Sequence, residues 1–415
     1  MAKPGLSETE EETRMLGVSG RTARPRVARA VAAAVAAALA VGAATACGDS
    51  DGSSSEGGSS ASAATQPAEN AASDGVAKAA EAVAKHRAAS DEFVAPGPEV
   101  DASSLRGRTV WFVPLAATIP TFGADATGIR DAAKKLGITI KTCDGKFTPA
   151  NAAACITQAT NGGADGIITN SIDPAAVRTS LSAAIGKKIP VVQMYGTKGE
   201  TGPYSQFVSV NDLLAHSLAA DWIIADSEGK AKILMTTVQG DASATNAAVN
   251  GGKKRFQENC PDCTVVNVNS TATTVDQIPS SVSAALLKNP EVDYGFPSFD
   301  FLVPGYQRGV QQAGKSGRIK IVSSSQDTAS MNRVKNGQQA ADAGTNRNYG
   351  GWLAMDAYVR MALGEKPQTS DYIPARVFDK TNIDSVEITD AAFKSGAWYG
   401  STAYTGEFAK LWGVE

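Results

Sequence analysis

Apolar residues recur along this chain in short solid runs separated by longer stretches of helical spacing. Residues 110–115 (VWFVPL), 166–169, 190–194 and 207–210 are runs of four to six, the length of buried strands. Residues 138–142 read as a further strand. Between them, 124–136 has apolar positions on one helical face and is stopped by Gly137. Thr148 followed by Pro149 reads as a cap and first turn of a second helix, and Asp173 followed by Pro174 reads as another. A second series repeats the alternation, with strands at 232–238, 264–268, 293–297 and 319–322 and helices at 213–227, 243–258, 275–287 and 303–313. The chain then passes through 338–343, a helix at 350–363 and an extended piece at 373–378.

Strands this apolar, alternating with helices, predict α/β architecture with parallel sheets covered on both faces. Two series of similar size predict two doubly wound parallel-sheet lobes joined by a hinge. Lobe 1 would span 104–210 and be completed by about 345–372. Lobe 2 would span 211–344 and be completed by about 373–415.

The first hundred residues follow another pattern. Arg21, Arg24, Arg26 and Arg29 precede an uncharged, Ala-rich run at 30–46. A positive stretch, an apolar run and small residues before a break mark a secretory signal. The run is short for a membrane span. The acidic residues before Met15 make Met15 an alternative start to Met1. The run ends in Ala44-Thr45-Ala46-Cys47, which resembles a bacterial lipobox whose Cys47 becomes the lipidated first residue; residues 1–47 would then be a signal peptide. Residues 48–74 are rich in Gly, Ser, Ala and Asp and hold no large apolar side chain, so they predict a disordered tether. Residues 75–103 predict an amphipathic helix over 75–92, with Val76, Ala80 and Val83 on one stripe, followed by a Pro/Gly-rich connector.

Composition narrows the chemistry. With 39 basic and 42 acidic residues the net charge is −3, which offers no clustered positive field for nucleic acid. Only two histidines occur, His86 and His216, which disfavours histidine acid–base catalysis and most zinc sites. No Ser–His–acid set, metal-ligand cluster or phosphate-cradling Gly-rich loop is present, so the expectation is no enzyme, no metal and no cofactor. Of five cysteines, removing Cys47 leaves four, and export permits the local pairs Cys143–Cys155 and Cys260–Cys263. The first would contribute about 3 kcal/mol on a chain-entropy estimate. The Cys260-Pro261-Asp262-Cys263 motif follows a helix and precedes a strand, the reverse of a redox dithiol, so a structural clip is expected.

Ligands of open parallel sheets bind beyond the carboxyl ends of the strands. Candidate residues there are Phe122 after the first strand, Asn170 and Asp173 after the third, and Tyr195 after the fourth. In the second series they are Gln239, then Phe299 and Asp300, then Ser325 and Gln326.

The segments IPTFG (119–123), IITNSIDPAAV (167–177), IPVVQMYG (189–196), VQGDASATNAAVNGG (238–252), SFDFLVPG (298–305) and IKIVSSSQDT (319–328) together resemble the ribose-binding type of periplasmic solute-binding protein, the type I Venus-flytrap family. The resemblance runs from about Lys78 to the C-terminus. It implies a monomeric, extracytoplasmic receptor that delivers a small molecule, such as a sugar, to an ABC transporter permease, or presents it to a sensor kinase or quorum system. It also implies that Phe122 stacks on a sugar ring, that Asn170 and Asp173 form a polar loop, and that Asp300 is the acid of an Asn-Asp pair whose Asn is replaced by Phe299. Several charged clamps of the family are replaced: Tyr195-Gly196 stands for Asp-Arg, Ala248 falls at an Arg, Ser323 to Ser325 followed by Gln326 stand for Gly-Phe-Asp, and a late hinge Gln falls at about Gly344. The expected ligand is therefore small and uncharged, stacked by Phe122, Tyr195 and Phe299, with its hydroxyls taken by Asp173, Asp300 and Gln326.

Overall fold

A computed structural model describes residues 66–414, apart from 210, 240–241, 272–273 and 367–371. The segments read as signal, lipidation site and spacer up to residue 65, together with Gly240 and Asp241, lie outside the described residues.

Buried strands and covering helices alternate as their apolar runs dictate. The first sheet contains β1 (Thr109–Pro114), β2 (Thr139–Thr142), β3 (Gly166–Asn170), β4 (Val191–Met194) and β5 (Ser205–Val208) in the order β2-β1-β3-β4-β5, all parallel. The second contains β6 (Lys232–Gln239), β7 (Thr264–Thr271), β8 (Tyr294–Pro297), β9 (Lys320–Ser324), β10 (Ala341–Thr345) and β11 (Ala375–Asp379). Its order is β11-β10-β9-β8-β6-β7, with only β11 antiparallel. In each sheet the chain reverses direction beside its first strand, between β1 and β3 and between β6 and β8. Such switch points open a crevice at the carboxyl edge.

In chain order the helices are α1 (Gln66–Arg87), α2 (Pro120–Leu136), α3 (Pro149–Asn161), α4 (Arg178–Gly186), α5 (Asp212–Asp226), α6 (Ala242–Asn246), α7 (Lys254–Asn259), α8 (Ile278–Lys288), α9 (Val303–Gln312), α10 (Thr328–Lys335), α11 (Arg347–Ala362), α12 (Asp390–Ser395) and α13 (Tyr404–Leu411). A π-helical segment, Ala247–Lys253, joins α6 to α7. Thr148 caps α3, its hydroxyl accepting from Asn151 N at 3.2 Å. The first lobe buries α2 and α11 against each other. Gly128 and Gly351 allow that approach: a Cβ on Gly351 would stand 2.6 Å from Asp125 O, and one on Gly128 would overlap Asn348 O.

Several boundaries differ from the sequence pattern. α1 reaches back to Gln66, into the stretch read as tether. It docks on lobe 2 through Ala79 and Val83, whereas Ala80 is exposed. Arg87 closes this contact on Asp379 with bonds of 3.0 and 2.6 Å. α2 starts at Pro120, four residues early, because Pro is preorganised for a first turn. Asp173 caps no helix: its carboxylate accepts from Ala175 N within a turn, and α4 begins only at Arg178. α10 had no counterpart in the apolar pattern, being short and polar. Its capping box, Asp327 with Ser330, fixes its start.

The C-terminal segment does not simply complete lobe 2. β11 joins the second sheet, but α13 and Trp412 pack into the lobe 1 core, where Trp412 stacks on Trp352 at 5.6 Å and 9°. Both disulfides form, Cys143–Cys155 and Cys260–Cys263. No helix of the described residues is long and apolar enough to cross a membrane.

Candidate functional site

The chain passes from lobe 1 to lobe 2 between β5 and α5, and returns at Asn346 between β10 and α11. Where these passages meet the carboxyl edges of the sheets, a small crevice opens. Lobe 1 lines it with Thr121 from the first turn of α2 and Arg347 from the first turn of α11. Lobe 2 contributes Asp212 and Ala215 from α5, Ser325 and Gln326 after β9, and Gly344 and Thr345 at the end of β10. Tyr399 closes one side.

Asn211 caps α5 and Asn346 caps α11, their side chains accepting from Leu214 N at 3.2 Å and Tyr349 N at 3.0 Å. Each cap thus places the next residue, Asp212 or Arg347, at a helix start beside the crevice. The strand ends are held in unusual backbone. Among the described residues, Ser171, Tyr195, Asn211 and Ser325 have φ between 56° and 74°, and they follow β3, β4, β5 and β9. Non-glycine residues in this region are strained and gather at functional sites.

A buried polar network lies behind the lobe 1 wall. Asp125 of α2, fully buried, accepts from Asn170 Nδ2 at 2.9 Å and from the Tyr195 hydroxyl. The Arg347 guanidinium lies 3.8 Å over the Tyr195 ring and 5.9 Å from that of Phe122, within cation–π range. Its Nε is 3.7 Å from Asp125, and its Nη1 donates to Asp212 Oδ1 at 3.2 Å. Burial pushes the Asp125 carboxyl up to about 6, against the opposing pull of Arg347. Burial alone would lower Arg347, but Asp125, Tyr195 and Asp212 outweigh it and hold the guanidinium protonated.

The lobe 2 wall has a second network. Ser323 Oγ donates to Asp300, Arg333 lies 3.6 Å from the same carboxylate, and Gln339 Nε2 donates to Ser323 Oγ at 2.6 Å. Burial raises Asp300 well above the carboxylate range, with the neighbouring Asp342 adding to it; burial also pushes Asp342 up to about 6. His216 of α5 lies with its ring edge-on to Phe299 at 4.9 Å and 3.2 Å from Ser324 Oγ. Burial lowers its basicity, against the opposing pull of its hydrogen bond to Asp212 O.

Of the residues selected from sequence, Ser325 and Gln326 line the crevice; Gln326 accepts from the Tyr399 hydroxyl at 2.9 Å. A Cβ on Gly344 would overlap the Gln326 amide and displace it. Phe122 sits inside the first turn of α2 and not in a loop, one residue beyond the lining Thr121. Tyr195 and Asn170 form the second layer around Asp125 and Arg347. Asp300 is buried and turned toward Ser323 and Arg333, away from the crevice lining. Asp173 takes part in its turn and in a 3.4 Å bond from Thr197. Gln239 is exposed at the end of β6, and Phe299 is half-buried, stacked on the exposed Phe301 at 5.9 Å. Ala248, at the place of a family clamp, is fully buried in the lobe 2 core.

Asp125, Asp212, Arg347 and Tyr399 escaped the sequence reading. A carboxylate three residues after Phe122, on the apolar face of a helix, was the signal for Asp125. For Asp212 and Arg347 it was a charge directly after an Asn cap. Among the described residues no group of three or more His, Cys, Asp or Glu side chains is placed to hold a metal ion.

The family model described as a periplasmic binding protein domain matches residues 110–366, more than half of the chain. The ribose import binding protein RbsB of Salmonella typhimurium is 24% identical over 279 residues, covering 66% of this chain and 92% of that protein. The 5-methylthioribose transporter solute binding protein from Thermotoga lettingae, in complex with 5-methylthioribose, superposes with a TM-score of 0.61 at 18% identity, over 74% of this chain and 99% of its own. A sugar ABC transporter protein from Yersinia enterocolitica gives 0.61 at 19% identity, over 78% and 99%.

Proposed function

Because the chain belongs to the periplasmic binding protein family, whose members are transport receptors and not enzymes, we propose that it captures a small sugar or sugar-like molecule outside the cytoplasm and delivers it to an ABC transporter permease. The observation that carries this reading is the polar crevice where two doubly wound lobes meet at their chain crossings. Hydroxyl, amide, carboxylate and guanidinium groups converge there beside aromatic residues, a combination suited to a polyhydroxylated ring. A ligand touching both lobes favours their closed arrangement, because its contacts exist in full only there. The closed pair of rims is the surface offered to the permease.

In this reading Cys47 carries the lipid anchor, residues 48–65 act as spacer, and the receptor works as a monomer beside its permease. A single acyl chain anchors only marginally, so more than one is required. Replacing Cys47 with Ser should release the protein from the membrane fraction; continued retention would exclude this anchor.

The test of ligand class is thermal unfolding of the mature protein with D-ribose, 5-methylthioribose, D-galactose and myo-inositol, alongside nucleosides and amino acids. A sugar or polyol at about 100 times its Kd should stabilise by about 2.7 kcal/mol. Stabilisation by an amino acid while every sugar and polyol fails would overturn the sugar reading.

A further inference from the structure

Several of the family positions that usually bring charge to the ligand hold uncharged residues in this chain, yet the crevice is not without charge. Arg347 and Asp212 both line it, 3.2 Å apart, and they belong to different lobes: Arg347 opens α11 on the lobe 1 side, and Asp212 opens α5 on the lobe 2 side. Each stands directly beyond a chain crossing. Resting on the sugar-receptor reading, we propose that this pair is the ligand's charged clamp, Arg347 donating to ring or hydroxyl oxygens and Asp212 accepting from hydroxyls, and that it selects neutral polyols.

Three observations separate a clamp from a merely structural ion pair. The Arg347 side chain lines the crevice while more than nine-tenths buried; its Nε is turned into the wall, 3.7 Å from Asp125, and its Nη1 meets Asp212 at the crevice. The guanidinium plane is fixed by stacking 3.8 Å over Tyr195, whose hydroxyl is held by Asp125. A planar donor set oriented in this way costs little ordering when it engages an acceptor. Asp212, unlike the enclosed Asp125, retains 22% side-chain exposure and can reach a bound molecule. Selection against charge follows from the pair itself. A ligand carboxylate could engage Arg347 only against Asp212, and a ligand ammonium could engage Asp212 only against Arg347, whereas a hydroxyl both donates and accepts.

The experiment measures Kd by calorimetry for whichever of D-ribose, 5-methylthioribose, D-galactose and myo-inositol stabilises the wild-type protein, then for R347Q, R347K and D212N. R347Q and D212N should each bind at least tenfold more weakly, and R347K should not restore affinity, because an ammonium lacks the planar fork. Charged analogues, D-galacturonate and D-galactosamine, should bind the wild type more weakly than D-galactose. Wild-type affinity in both R347Q and D212N would overturn the clamp while leaving the receptor reading intact. If R347Q fails to fold, D212N decides alone, since Asp212 is partly exposed and its Asn replacement keeps an oxygen that can accept from Arg347 Nη1. Failure of all four neutral probes to stabilise the wild type would remove the sugar reading, and the clamp with it.

Discussion

Asp125 shows how much one side chain can organise. It is fully buried and bound by Asn170, Tyr195 and, more distantly, Arg347. Removing one partner of a buried ion pair strands the other, so Asp125→Ala should destabilise by about 3 kcal/mol in urea unfolding. A loss under 1 kcal/mol would mean that Asp212 alone satisfies the guanidinium. The pH dependence follows from the same burial. Asp125 and Asp342 are raised to about 6 and Asp300 is also raised, all from the value near 3.8 that each has when unfolded. The folded state thus holds protons more tightly, and this contribution is fully present below about pH 4 and lost as pH rises through 6. His216 acts in the opposite sense: its lowered basicity contributes stability above the unfolded value near 6.5, and that contribution is lost as pH falls. Three raised carboxylates outnumber it, so the melting temperature should rise between pH 7 and pH 5. Asp125→Asn should flatten that rise; an unchanged slope would assign it elsewhere.

At the scale of elements, the N-terminal segment acts as an added brace. α1 packs on lobe 2 through Ala79 and Val83, and Arg87 bonds Asp379. Ser90 N then donates to Tyr399 O at 2.8 Å, and Phe93 packs edge-on against Phe408 at 5.1 Å in the lobe 1 core. Val83→Asp would force a carboxylate into that contact, costing about 2 kcal/mol or more. Hydrogen exchange should then show α1 losing protection before either sheet. Simultaneous loss in α1 and the lobe 2 sheet would mean that the helix belongs to the lobe's cooperative core. α10 offers a smaller case: Asp327→Ala removes its cap and should cost about 1 kcal/mol, read as a lower urea midpoint. The short polar sequence of α10 made it illegible as a helix, yet the Asp-x-x-Ser spacing that starts it was present.

Across the whole molecule, the two sheets share one plan, and the chain joins them repeatedly near the crevice. Small-angle scattering should show a smaller radius of gyration when a stabilising sugar is added. No change on saturation would mean that the lobes are already closed without ligand. The C-terminus ties this arrangement together, since β11 belongs to lobe 2 while α13 and Trp412 belong to lobe 1. Trp412→Ala removes a fully buried indole stacked on Trp352 and should cost about 3–5 kcal/mol.

The apolar runs and their helical spacers determined the α/β class, the two series and most strand positions, because buried parallel strands leave a continuous apolar signature. Cysteine spacing and export signals likewise pointed to the two local disulfides. Strand-end position was enough to find Ser325 and Gln326. The site's charged centre was a different matter. Arg347 and Asp212 are 135 residues apart, and Arg347 and Asp125 are 222 apart. Their meeting depends on where two chain crossings bring α5 and α11 together, which no local periodicity encodes. Packing also turns Asp300 inward on Ser323, and Asp173 holds a turn where a helix cap was expected. A polar residue at a strand end can face the cleft, cap a turn or pair inward, and only the packed neighbours decide among these. The sequence therefore determined the receptor's architecture, and the tertiary structure decided which of its polar residues meet at the cleft.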